Sequence, residues 1–223
     1  MGQHETANAQ VETSATQRAY NVLRTMIVTG ELEPGQKLKI DGLRQLLDTG
    51  ASPIREALSL LTSDYLVERI DQRGFRAAPV SRANFDEILA LRCTLEDKAI
   101  REGLPLASAD WEENVVLAHH RMQKAQEATD ERFEDMHKAF HMSLLAASTA
   151  PILLKFCSQL YDLNIRYRYL AAKSPDYKSR DVSEEHGLIL KAAVARDISE
   201  LSSRLLDHYN VTGRYLAPFF ADE

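Results

Sequence analysis

The stretch Gly50-Ala51-Ser52-Pro53-Ile54-Arg55-Glu56-Ala57-Leu58 constrains the fold more than any other part of the chain. Ile54, Ala57, Leu58 and Leu61 recur at i, i+3, i+4 and i+7, the period of a helix that buries one stripe. Pro53 suits the first helical turn, where its missing N–H costs nothing and its fixed φ fits the helix. Ser52, just before it, is placed to cap. Glu56 comes one residue too late to complete a capping box on Ser52. Arg55, Glu56 and Ser59 lie off the stripe. A helix that hides one side and carries Arg in its first turn on the other can present that turn to a major groove. The same residues also describe any amphipathic surface helix, so the neighbouring segments decide.

Upstream, Tyr20, Leu23 and Ile27 have helical spacing, with Val22 and Met26 widening the face, and Thr29-Gly30 ends that helix. Glu33-Pro34-Gly35 is a turn and Lys37-Leu38-Lys39 a short strand candidate. Asp41 can cap a second helix, Gly42 to Leu47, with Leu43, Leu46 and Leu47 inward. Helix, helix, tight connection, helix is the helix-turn-helix order. Downstream, Tyr65 to Ile70 and Phe75 to Val80 are two β-prone runs around a polar turn, which predicts a hairpin. Its tip holds Gln72, Arg73 and Gly74. A hairpin after a helix-turn-helix is a wing, and an arginine at its tip can reach the minor groove or a phosphate.

From Ser81 on, nothing alternates with period two. Six helices are expected, at about 83–103, 108–127, 130–147, 150–172, 176–195 and 197–218. The predicted fold class is mainly α: an N-terminal winged helix-turn-helix with a small β-hairpin wing, then an all-α six-helix bundle. The expected organisation is a disordered tail at 1–13, a DNA-binding domain at 14–80 and an effector-binding and dimerisation domain at 81–223. No apolar run approaches the roughly 20 residues that span a bilayer, and the polar start lacks a signal-peptide core, so no membrane association and a cytoplasmic location are expected. Cys93 and Cys157 read as buried thiols in a reducing compartment. The net charge of −6 argues against DNA until it is divided. Residues 14–80 carry nine Lys and Arg against eight Asp and Glu, and the deficit lies elsewhere. Any DNA binding must therefore use locally placed cations and two heads of a dimer.

Histidines are the candidate site residues. His137 and His141, four apart, share one helix face; His186 and His208 come from two further helices. Such a set can enclose a divalent metal, and imidazole suits zinc, nickel, copper or iron. The alternative is four unrelated histidines. His119 and His120, being adjacent, are left on a solvated face. Arg92, Arg166 and Arg168 are candidates for gripping a carboxylate, since guanidinium pairs with it as a two-pronged fork. Arg166 and Arg168 cannot both face inward from one helix, and Arg92 with Arg168 is preferred. Tyr167 and Tyr169 beside them read as core or pocket wall.

Residues 20–80 resemble the winged-helix domain of GntR-family transcription regulators, through residues 27–38, Ser52-Pro53-Ile54-Arg55-Glu56-Ala57-Leu58, Leu66-Val67-Glu68 and Arg73-Gly74-Phe75. The resemblance implies operator contacts from Lys39, Gly50, Ser52, Pro53 and above all Arg55, and from the wing at Arg73 and Gly74. Many members carry Ser-Arg-Thr before the proline. Here Gly50-Ala51-Ser52 stands there, so the arginine that often reads a guanine is missing and the operator cannot be borrowed.

Residues 83–215 resemble the FCD effector domain of the FadR subfamily. The resemblance rests on Phe140-His141, Glu185-His186, Asp207-His208 and the Arg92…Glu96 pair of the first helix. Six helices rather than seven suggest the VanR type, and the whole chain looks most like the CsiR-like regulators. This implies an inverted-repeat operator, a homodimer, a divalent metal (zinc before nickel or iron) and a small carboxylate effector held by Arg92, Glu96 and Arg168 or Arg166. A dicarboxylate such as glutarate is the suspected effector. Where the subfamily has Asp as the first metal ligand, this chain has His137. Four neutral imidazoles leave the metal's charge uncompensated, and an anionic effector or a solvent carboxylate would supply the balance. Two rivals remain: a metal-dependent enzyme, against which stands the lack of an obvious base, and a constitutive DNA-binding protein with structural histidines. A repressor and not an enzyme is the expectation.

Overall fold

The computed structural model describes residues 14–70, 73–128, 132–178 and 180–220. The expected tail at 1–13 and Gln72 of the wing tip lie outside them. Contacts divide the chain into two compact units that meet in sequence between Pro79 and Val80.

The first unit begins with α1 (Ala15–Val28), where Ser14 Oγ accepts from the Gln17 amide at 3.1 Å. Gly30, at φ 73, lets the chain turn out of it. β1 (Lys37–Leu38), α2 (Ile40–Leu47), α3 (Ala51–Ser63), β2 (Val67–Ile70) and β3 (Gly74–Ala77) follow. The expected two-stranded hairpin gains β1 as a third strand, in the order β1-β3-β2, antiparallel throughout. Lys37 and Glu68 flank Arg76 in that register. Leu23, Ile27, Ile54, Ala57, Leu58, Leu61, Leu66 and Phe75 form the interior.

Four local expectations need correction. Val22 is exposed, because it sits about 100° round the helix from Leu23. Leu46, three positions after the buried Leu43, is exposed as well. Asp41 does not cap α2: the helix begins at Ile40 with Lys39 as N-cap, and Asp41 falls in its first turn. Ser52 does not cap α3 either. Gly50 is the N-cap, Ser52 is already helical, and its hydroxyl donates to Glu56 Oε1 at 3.2 Å. Arg55 is thereby moved into the second turn.

The second unit holds six α-helices among the described residues: α4 (Arg82–Gly103), α5 (Ala109–Glu127), α6 (Phe133–Leu145), α7 (Pro151–Ala171), α8 (Ser183–Val194) and α9 (Ile198–Leu216). Ser81, Ser108 and Asp197 cap α4, α5 and α9 by accepting the amides of Asn84, Trp111 and Glu200. Pro151 opens α7. Gly103 is required at the end of α4: a Cβ there would lie 2.5 Å from the Ser148 amide nitrogen. The fifth helix of the bundle starts at Ser183, not near 176. Asp181 Oδ1 accepts the Ser183 amide at 2.9 Å at that start. The segment before it is irregular and places Tyr177, Arg180 and Val182 on a cavity wall. Both cysteines are free thiols, Cys157 fully buried and Cys93 partly so. No helix among the described residues is long and apolar enough to cross a membrane.

Candidate metal and effector site

The i, i+4 spacing of α6 sets His137 and His141 on one face, and α8 and α9 bring His186 and His208 against them. One ring nitrogen of each lies within 4.8 Å of those of the others, and all four residues are buried. His137 Nε2 and His141 Nε2 are 3.2 Å apart. Nitrogens bound tetrahedrally to zinc at about 2.0–2.1 Å would stand at nearly this separation.

Partners hold the far nitrogens. Glu185 Oε2 accepts from His208 Nδ1 at 2.8 Å, which leaves the His208 Nε2 lone pair free. The Tyr209 hydroxyl gives its proton to Glu96 Oε2 at 2.6 Å and sits 3.0 Å from His141 Nδ1. That nitrogen must then be the donor, again freeing Nε2. His137 Nδ1 meets the Tyr161 hydroxyl at 2.5 Å. Such outer partners orient metal-binding imidazoles and raise their basicity. His186 has no hydrogen bond at either ring nitrogen among the described residues, although it is 1% exposed. A buried imidazole without a partner is costly, and a metal would satisfy it. Burial, followed by the positive neighbours, pushes His137 and His208 down to about 3 and His186 to about 2, with His141 also well below its ordinary value. All four are therefore neutral near pH 7, the form that binds metal. The residues fit a divalent ion with nitrogen preference.

Three of the histidines, His137, His141 and His208, open onto a cavity of about 430 Å³. Its wall also carries Arg92, Arg168, Arg180 and Glu134. Arg92 is 5% exposed and lies over the Tyr161 and Tyr209 rings, at 4.8 and 4.0 Å to their centroids. Its Nε donates to Glu96 Oε1 at 2.7 Å and its Nη1 to Asn164 Oδ1 at 3.0 Å, while Nη2 is buried without a partner. Burial works against the charge, but Glu96 and the two tyrosines raise the pKa of Arg92 above its ordinary value. Arg92 thus offers a fixed cation with one free donor.

Arg168 also lines the cavity and pairs with Glu134. Two candidates stand elsewhere. Arg166 is buried but is not among the cavity-lining residues; one step of about 200° from Arg168 turns it to another side of α7. Burial lowers its pKa to about 10. Glu96 lies behind Arg92 and positions it rather than facing the cavity. His119 is buried, not solvated, and packs edge-on against Phe140 at 5.1 Å. Trp111, Val115 and Met122 share its face, a stripe visible in the sequence. Tyr167 is core, with its hydroxyl donating to Asn84 at 2.7 Å. Sequence reasoning missed Tyr161 and Asn164 of α7, Glu185 of α8, Tyr209 of α9 and Arg180 of the irregular chain before α8.

In the winged unit, Lys39, Gly50, Ser52, Arg55, Arg73 and Gly74 are exposed and Pro53 is half-buried. Gly74 takes φ 96, a value that suits glycine, and the Arg73 amide closes the turn onto the Ile70 carbonyl at 3.0 Å.

Comparison with known proteins places both units. Residues 15–76 match the family of bacterial regulatory proteins, gntR family, and residues 87–211 match the FCD domain. The transcriptional regulator BphR of Paraburkholderia xenovorans strain LB400 is 33% identical over 202 residues, covering 87% of this chain and 82% of that protein. The transcriptional repressor GlaR of Escherichia coli K12 is 27% identical over 197 residues, covering 85% and 90%. In fold, the solved structure of Escherichia coli McbR/YncC superposes with a TM-score of 0.79 at 23% identity, covering 93% of this chain and 99% of that one. These relatives are regulators of transcription rather than enzymes. GntR regulators bind operator DNA and commonly dimerise. The chain belongs to the GntR family of bacterial helix-turn-helix transcription regulators, in the branch whose members carry an FCD domain.

Proposed function

We propose that the chain is a metabolite-responsive repressor, of the VanR type and CsiR-like, that binds an inverted-repeat operator as a homodimer. Arg55 on the exposed face of α3 reads base edges. Lys39, the start of α3 at Gly50, Ser52 and Pro53, and Arg73 and Gly74 of the wing settle on the backbone and minor groove. His137, His141, His186 and His208 hold a divalent metal, zinc before nickel or iron. His137 takes the place that an anionic ligand would fill. When bound, the metal supplies positive charge beside Arg92, and the cavity binds a small carboxylic acid, with dicarboxylates such as glutarate among its candidates. Effector binding weakens operator affinity because the effector favours a form of the protein that fits the operator less well. The repressor name of GlaR supports that sign.

The observation that carries this reading is the cluster of four buried, neutral imidazoles, three of them lining a cavity whose wall also carries Arg92 with its unpartnered Nη2. Native mass spectrometry of the protein purified without chelator tests it. A dimer with one metal ion per chain is expected. A metal-free dimer that also takes up no added zinc would reduce the histidines to structural residues.

A further inference from the structure

Two buried polar atoms of the cavity residues carry opposite unmet demands. Arg92 Nη2 donates to nothing, its other nitrogens being taken by Glu96 and Asn164. Glu134 Oε2 accepts from nothing, while Oε1 is held by Arg168. Both residues line the same cavity of about 430 Å³. Glu134 precedes His137 by three positions and so shares its side of α6. The Arg168 pair holds the Glu134 carboxylate in place, so the wall that carries the Arg92 donor also carries an acceptor. A simple acid answers Arg92 but leaves Oε2 unmet, and its second carboxylate, if it has one, would be repelled there.

We propose that the cavity selects an acid bearing a hydrogen-bond donor beside its carboxylate, a hydroxy acid or an amino acid, and that Glu134 is the residue that enforces the choice. The carboxylate meets Arg92 and the hydroxyl or ammonium donates to Glu134. This rests on the carboxylate-effector reading above and narrows it. A site with a buried acceptor rejects the analogue that lacks the matching donor far more strongly than a methylene-sized misfit is rejected.

Calorimetry on the zinc-loaded protein tests this with matched sets: propionate, lactate and alanine; succinate, malate and aspartate; glutarate, 2-hydroxyglutarate and glutamate. In whichever set binds, the hydroxy or amino member should bind at least ~10-fold more tightly than the plain acid. Glu134→Leu should cut that preference to below ~3-fold, and Glu134→Gln, which keeps the shape and removes the charge, should do so for the ammonium member if the leucine variant does not fold. Plain acids binding equally or better would overturn the proposal and leave the carboxylate reading standing. A preference that survives both variants would overturn the assignment to Glu134. No binding by any of the acids would overturn the carboxylate reading and this proposal together.

Discussion

The two units bury different chemistry. Among the described residues, every buried polar or charged side chain lies in the helical unit: Arg92, Glu96, His119, His137, His141, Ser148, Arg166, His186, Ser202 and His208. The winged unit buries only apolar side chains and glycine. Its candidate DNA contacts stand on a surface that packing does not need. In the helical unit the candidate ligand site is part of the core. The fold and the function of the winged unit should therefore separate under mutation and pH, and those of the helical unit should not.

The largest expected contrast is acid stability of the metal-free protein. The four site histidines are held neutral in the folded state, with values near 2 to 3 where they are resolved. An unfolded histidine titrates near 6.5. Between those limits the unfolded chain binds more protons, so folded stability is intact above 6.5 and falls as pH drops below it. At one pH unit below 6.5 each histidine costs about 1.4 kcal/mol, on the order of 5 kcal/mol for four. The winged unit has no histidine between residues 14 and 79 and should not respond. Hydrogen exchange at pH 7.5 and 5.5, after chelation, reads each unit separately. Equal loss in both would break the comparison, and added zinc should protect the helical unit alone.

The second contrast sets a buried ion pair beside the surface. Arg92 and Glu96 have side chains 6% and 2% exposed. Glu96→Ala strands a buried guanidinium and removes the acceptor of the Tyr209 hydroxyl, so a loss of roughly 3–5 kcal/mol in unfolding free energy is expected. Denaturant midpoints measure it. A loss under about 1 kcal/mol would mean that water already solvates Arg92.

In α3 the same question is put to an exposed and a buried residue three positions apart. Arg55→Ala should weaken operator binding by about 1–3 kcal/mol, roughly 5- to 150-fold, without moving the melting temperature. Leu58→Ala should instead lower stability, because Leu58 is fully buried. Arg55→Ala that destabilises the fold would show that this surface is not independent of the core.

The same division explains what the sequence made legible. The stripe of Ile54, Ala57, Leu58 and Leu61 is local, so α3 and its outward Arg55 could be read directly. The pair His137 and His141 is also local. Glu185 reaching His208 and Tyr209 reaching Glu96 join different helices, and no spacing along one helix announces them. His119 could have been found: Val115, four residues earlier, and Met122, three later, put it on the buried face. The late start of α8 was hidden because no cap residue marks it: its N-cap is Val182, with no side-chain cap bond.

The smallest contrast is an ion pair on the winged sheet. Glu68 and Arg76 face each other across β2 and β3, with side chains 42% and 43% exposed. Water screens such a pair, and Glu68→Ala should cost only roughly 0.2–1 kcal/mol. The register places Lys37 on the other side of Arg76, so losing Glu68 leaves two cations directly opposite across β1 and β3. The cost should therefore shrink as salt rises and the repulsion is screened. A loss near that of Glu96→Ala, indifferent to salt, would show that the winged sheet also depends on a desolvated charge, and the division between an apolar-cored head and a polar-cored helical unit would fail.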